Sequence, residues 1–218
     1  GRDLFMSASM GITLFPFDTH ETQALLRDAD IAMYRAKEAG RNMYQFYAAE
    51  MTAKAVERIG MENDLRLALK RGEFVLHYQP IVSCSEGRII GVEALVRWQR
   101  PDHGLVPPLQ FIPLAEETGL IVPLGEWVLH AACAQLGRWK SAGFPELRMA
   151  VNLSVRQFRQ KGLARVIAQA LTAADIAPRQ LELEITESAL AQGEEAEALL
   201  REVRATGVRF SIDAFGTG

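Results

Sequence analysis

Glu93, Arg97, Asn152, Glu182, Glu184 and Asp213 stand inside short stretches that otherwise read as buried β-strands. Glu93 and Arg97 interrupt Ile-Ile-Gly-Val-Glu-Ala-Leu-Val-Arg-Trp, and Asn152 interrupts Met-Ala-Val-Asn-Leu-Ser. Glu182 and Glu184 interrupt Leu-Glu-Leu-Glu-Ile, and Asp213 ends Phe-Ser-Ile-Asp. Strands covered on both faces are nearly all apolar, so each interruption needs a reason. Side chains alternate along a strand. Glu93, Leu95 and Arg97 therefore share one face, as do Asn152 and Ser154, Glu182 and Glu184, and Ser211 and Asp213, while the aliphatic residues take the other phase. Taken singly, a carboxylate near a strand end is an ordinary loop-facing residue. Glu93, Asn152, Glu184 and Asp213 together, at the ends of four strands, are costly to bury unless they hold a cation. Hard oxygen donors favour Mg²⁺ or Mn²⁺. A guanidinium two pleats beyond Glu93 on the same face, that of Arg97, suits a phosphate, or else a structural ion pair with a neighbouring carboxylate.

The elements that must position these groups can be read from periodicity. Strands are expected at Phe74–Val82, Ile89–Trp98, Leu147–Leu153, Leu181–Ile185 and Val208–Ile212. Helices are expected at Leu109–Thr118, Leu124–Ala142, Leu163–Ala174 and Glu194–Ala205. The first two strands follow each other without a helix and should pair antiparallel. After them strands and helices alternate, which argues a parallel sheet under covering helices. In a barrel this places the polar phase inside and the aliphatic phase outside. Barrel enzymes carry their chemistry at the C-terminal ends of the strands. Ahead of this segment lie a loose strand over 5–14, a helix over 22–39 followed by Gly40, and a short strand over 43–47. A helical connector then runs over 48–71.

Composition narrows the function. Of 218 residues, 49% are hydrophobic and 23% charged, and the formal net charge is −3. No Lys/Arg run supplies the basic footprint that duplex nucleic acid needs, so a small anionic ligand fits better than DNA or RNA. Cys84 and Cys133 match no metal spacing and are expected as buried or half-buried free thiols, in keeping with a reducing cytoplasm. No stretch is long and apolar enough for a transmembrane helix. The two ends, Gly-Arg-Asp-Leu-Phe and Gly216-Thr217-Gly218, look like cuts in a longer chain.

The second segment resembles EAL domains. The resemblance runs through Tyr78-Gln79-Pro80-Ile81, Glu93-Ala94-Leu95-Val96-Arg97-Trp98, Phe111-Ile112-Pro113 and Ala115-Glu116-Glu117-Thr118-Gly119. It continues through Gly125-x-Trp127-Val128, Asn152-Leu153-Ser154, Glu184-Ile185-Thr186-Glu187 and Asp213-Ala214-Phe215-Gly216-Thr217-Gly218. Three letters alone would mean nothing, but the ordered set is specific. The resemblance implies an α/β fold, a (β/α)₈ TIM-like barrel with an antiparallel first strand. It implies hydrolysis of cyclic di-GMP to linear pGpG at a two-metal Mg²⁺ or Mn²⁺ site. It also implies Glu93, Asn152, Glu184 and Asp213 as metal ligands, and Gln79, Leu95 and Arg97 as contacts to the dinucleotide. Glu187 would steady the loop after the fifth strand, and with Glu93 and Asp213 it completes the set expected to serve catalysis. Two copies would pair through this domain.

The first segment resembles the C-terminal end of a GGDEF domain, through Ser9-Met10-Gly11-Ile12, Leu25-x-x-Asp28-Ala29-Asp30-x-Ala32-Met33-Tyr34-x-Ala36-Lys37 and Gly40-Arg41-Asn42. The resemblance places Lys37 and Arg41 near the GTP phosphates; in this chain they read as solvated charges at a helix end. The expected organisation is a GGDEF end over 1–47, a helical connector over 48–60, and the start of an EAL barrel over 61–218, stopping after its fifth strand. Such barrels need about 250 residues, so little turnover is expected from the chain as given. One departure matters: the family usually has two consecutive Asp where this chain has Asp213-Ala214. That residue divides two readings, a phosphodiesterase and a receptor that binds cyclic di-GMP without cleaving it. A purely protein-binding domain would have no need of the retained polar set.

Overall fold

The computed structural model describes residues 7–186 and 194–213, apart from the side chains of Lys54, residues 194–196 and Asp213. The chain divides into two compact units, Gly1–Asn63 and Asp64–Gly218.

In the first unit, β1 (Met10–Ile12) pairs in parallel with β2 (Tyr44–Phe46), and α1 (Thr22–Glu38) packs on them. Ala24, Ala32 and Ala36 form the buried face of α1, together with Asp28, whose carboxylate accepts from Arg27 Nε at 2.9 Å. Gly11 is required: a Cβ there would stand 1.9 Å from the Ala29 carbonyl oxygen on α1. β1 is shorter than the strand expected over 5–14, whose residues 5 and 6 lie outside the described residues. Glu21 is the N-cap of α1, without a side-chain cap bond, and Thr19 Oγ1 accepts from the Glu21 N–H at 3.2 Å. Helix α2 (Ala49–Arg71) follows without a break.

The second unit is an α/β sheet of six strands. β3 (Phe74–Val82) pairs antiparallel with β4 (Ile89–Arg100), as expected for the hairpin. The parallel ladder then runs from β4 to β6 (Arg148–Leu153), β7 (Leu181–Thr186) and β8 (Arg209–Asp213), with β5 (Gly104–Val106) added against the end of β4. Helices α3 (Pro108–Thr118), α4 (Ile121–Ser141), α5 (Val155–Phe158), α6 (Leu163–Ala174) and α7 (Glu194–Arg204) fill the connections. α4 begins three residues before the expected Leu124. Pro123 falls in its first turn, where the missing N–H has no intrahelical acceptor.

The aliphatic phase of the strands lies under the helices. Val92, Ala94, Met149, Val151, Leu153, Leu181, Leu183 and Ile185 are all buried there, with Leu129, Leu136, Ile167 and Leu171 from α4 and α6. Tyr78 packs edge-on against Trp139 at 4.8 Å between ring centroids, and burial raises its hydroxyl pKa. Cys133 is buried in α4, but Cys84 is exposed in the β3–β4 turn, contrary to the expectation of burial or half-burial. The turn is polar and offers nothing to cover a side chain.

The far end of β4 is anchored firmly. Trp98 is fully buried against Phe74 and Phe111, and its indole N–H donates to Glu73 Oε2 at 3.0 Å. Arg100 reaches Asp64 Oδ2 through Nε and Nη2, at 2.9 and 2.7 Å. These contacts fix the strand that carries Glu93, Leu95 and Arg97. Among the described residues no helix is long and apolar enough to cross a membrane.

Candidate functional site

Strand register puts the polar residues on one face. Gln79 lies opposite Glu93 in the β3–β4 ladder, and Leu95 and Arg97 follow in the same phase of β4. Glu93 is in register with Ala150 on β6, so Asn152 stands one pleat nearer the C-terminal end. Asn152 is in register with Glu184 on β7, and Glu184 with Ser211 on β8. Thr186 is in register with Asp213, which places the Asp213 backbone at the same end of the sheet. The Asp213 side chain, Glu187 and Ala214 lie outside the described residues.

The side chains that are described converge in part. Asn152 Nδ2 donates to Glu93 Oε1 at 2.7 Å, a diagonal bond between neighbouring strands. That bond leaves the carboxamide Oδ1 to act as an oxygen ligand. Glu93 and Glu184 are half-buried, while Asn152 and Gln79 are exposed. Ser211 Oγ, beside Glu184 in the ladder, is buried with no hydrogen-bond partner among the described residues. Arg97 is half-buried, and its Nη1 donates to the carbonyl of its neighbour Val96 at 2.9 Å. Among the described residues no carboxylate pairs with Arg97, so the structural ion pair considered for it finds no partner there.

A cleft of about 630 Å³ opens over the C-terminal ends of β4, β6 and β7. Asn152, Glu184 and Thr186 supply its polar floor, and Leu95, Leu109, Ile112, Pro113 and Leu124 its apolar wall. Glu182, though in the same phase as Glu184, belongs elsewhere. It lies one pleat toward the N-terminal end, where it lines a separate opening with Arg148, Arg204 and Arg209. Ser154 also departs from the expected strand phase. β6 ends at Leu153, and Ser154 turns away as the N-cap of α5.

The donor set fits a hard divalent cation. It consists of two carboxylates and one carboxamide, with an unsatisfied hydroxyl on the same face and no soft ligand nearby. Among the described residues no three His, Cys, Asp or Glu side chains gather as a metal-holding cluster.

The wall residues of α3 and α4 carried little signal of a cleft in the sequence, because a wall made of Leu, Ile and Pro reads like any core. Gln157 was legible: Ser154-x-x-Gln157 has the spacing of a capping box, and both reciprocal bonds form, at 3.0 and 3.2 Å.

The chain matches the family model of the EAL domain over residues 62–218 and that of the diguanylate cyclase GGDEF domain over residues 1–43. It is 48% identical over its whole length to the bifunctional diguanylate cyclase/cyclic di-GMP phosphodiesterase MucR of Pseudomonas aeruginosa, and spans 32% of that protein. It is 41% identical, again over its whole length, to the cyclic di-GMP phosphodiesterase NbdA of the same organism, spanning 28% of it. The chain thus covers about a third of the length of these curated relatives. Among solved structures, a complex of the MucR phosphodiesterase with c-di-GMP superposes with a TM-score of 0.70 at 48% identity, covering 73% of this chain and 65% of that one. The c-di-GMP-bound EAL domain of FimX from Pseudomonas aeruginosa gives 0.64 at 26% identity, covering 74% and 63%. The chain belongs to the EAL domain family, with the end of a GGDEF domain ahead of it.

Proposed function

We propose that this chain forms the substrate-holding half of a cytoplasmic cyclic di-GMP phosphodiesterase that opens one phosphodiester to give linear pGpG. The observation that carries the reading is the bond between Glu93, which shares a face of β4 with Arg97, and Asn152, which lines the cleft with Glu184. Glu93, Asn152, Glu184 and Asp213 would hold Mg²⁺ or Mn²⁺, which when bound neutralises charge on the phosphoryl oxygens and lowers the pKa of a bound water. Arg97 presents its guanidinium to a phosphate, and Gln79 presents an uncharged amide opposite Glu93. Leu95 and the apolar wall shield one side of the cleft from water. Glu187 would steady the loop after β7. Two copies would associate through the EAL part.

A second reading has its own support. Ala214 stands where the family usually has a second Asp, so the site has one oxygen donor and one negative charge fewer. Binding through Arg97 and Gln79 does not depend on that carboxylate, whereas making a nucleophile from water does. This residue supports a receptor that binds cyclic di-GMP without cleaving it.

The test is release of pGpG from cyclic di-GMP by the full-length protein in Mg²⁺ or Mn²⁺, beside its Glu93→Gln variant. Turnover that Glu93→Gln abolishes supports the phosphodiesterase. Tight binding with negligible turnover in both supports the receptor. Neither binding nor turnover refutes both.

A further inference from the structure

Asn152 is exposed, and among the described residues one hydrogen bond, to Glu93, orients its carboxamide. Its aim therefore depends on where the backbone leaves β6, one residue further on. That exit is held by Gln157. The Gln157 Oε1 accepts from the Ser154 N–H at 3.0 Å, directly after Leu153, the last residue of the strand. Gln157 is 7% exposed, although it belongs to a helix of only four residues. Its burial is made by a glycine on another element: a Cβ on Gly125, in α4, would stand 1.4 Å from Gln157 Nε2 and 2.5 Å from its Cδ. A side chain at 125 would displace that amide from where it sits. The neighbours Leu153 and Phe158 are buried on either side and keep the turn from sliding.

We infer that Gln157, seated against Gly125, is a positioning residue that holds the end of β6 so that the Asn152 carboxamide meets Glu93 with its Oδ1 turned to the cleft. The consequence for turnover rests on the function proposed above; the positioning itself does not. Gln157→Leu keeps the volume and removes the acceptor, and Gln157→Glu keeps the acceptor.

The direct readout is the side-chain amide resonance of Asn152 in the isotope-labelled full-length protein, identified by its loss in Asn152→Asp. Gln157→Leu is expected to shift and broaden this resonance, and Gln157→Glu to return it to its original place. In the full-length protein, Gln157→Leu is expected to lower kcat for cyclic di-GMP roughly 10- to 100-fold, the scale seen when the outer partner of a metal ligand is lost. KM should change little, because Gln79 and Arg97 come from other strands, and Gln157→Glu should recover the rate. Should Gln157→Leu fail to fold, Gly125→Ala displaces the same amide from the opposite side and must move the same resonance. An Asn152 resonance that stays in place in a folded Gln157→Leu or Gly125→Ala protein overturns the inference. A resonance that moves in a protein with no cyclic di-GMP hydrolysis upholds the positioning and removes only the catalytic reading.

Discussion

The two faces of the β4–β6–β7 ladder carry alternate residues of the same strands, yet they obey different rules. On the helix-covered face, Met149, Val151, Leu181 and Leu183 are at most 1% exposed. On the opposite face, one residue away along each strand, Glu93, Asn152 and Glu184 are half-buried or exposed, and Asn152 donates a hydrogen bond to Glu93. The covered face holds the sheet together, so its substitutions should register as stability. The open face contributes little apolar burial and concentrates like charge, which folding alone does not favour. Its substitutions should register as ligand binding or turnover.

The largest effect that would sharpen this contrast is expected at Ala214, the residue that follows Asp213 in the sequence. Restoring a carboxylate with Ala214→Asp should raise pGpG release by orders of magnitude and leave cyclic di-GMP affinity nearly unchanged. Equal and robust rates for both proteins would remove the receptor reading.

On the covered face, Leu183→Ala should cost about 2–5 kcal/mol in denaturant unfolding, since the side chain is fully buried and its removal leaves a cavity. On the open face of the neighbouring strand, Asn152→Ala should stay within about 0.5 kcal/mol of the parent. Equal losses at the two positions would break the division between the faces. The smallest effect concerns the thiols. Burial pushes the Cys133 thiol up to about 12, so below that pH it holds its proton. Near pH ~8 only the exposed Cys84 should react with a thiol reagent, and the second thiol should appear on unfolding.

Much of this architecture was legible in the residues, for identifiable reasons. β3 over Phe74–Val82 and α6 over Leu163–Ala174 form over the ranges that periodicity gives, because apolar spacing and flanking polar residues agree at both ends. The open-face phase was legible because a charge inside a buried strand has few innocent explanations. Short elements were harder. β5, three residues long, has no periodicity of its own and exists because it can pair with the end of β4. α5 was missed although its capping box was in view, since four residues make too short a run to show a stripe. Partnerships between distant residues had no local signal at all. Nothing near Arg100 points to Asp64, nothing near Trp98 points to Glu73, and nothing near Gly125 points to Gln157.

The central claim is that the open face is a ligand site. Its most direct test is calorimetric titration of cyclic di-GMP into the full-length protein and into Arg97→Ala, with unfolding measured on both. The expected result is a loss of about 1.5–3 kcal/mol in binding, the scale of a charge-assisted hydrogen bond to phosphate, with stability barely changed. Unchanged affinity accompanied by a lower unfolding midpoint would make Arg97 a structural residue and contradict the account.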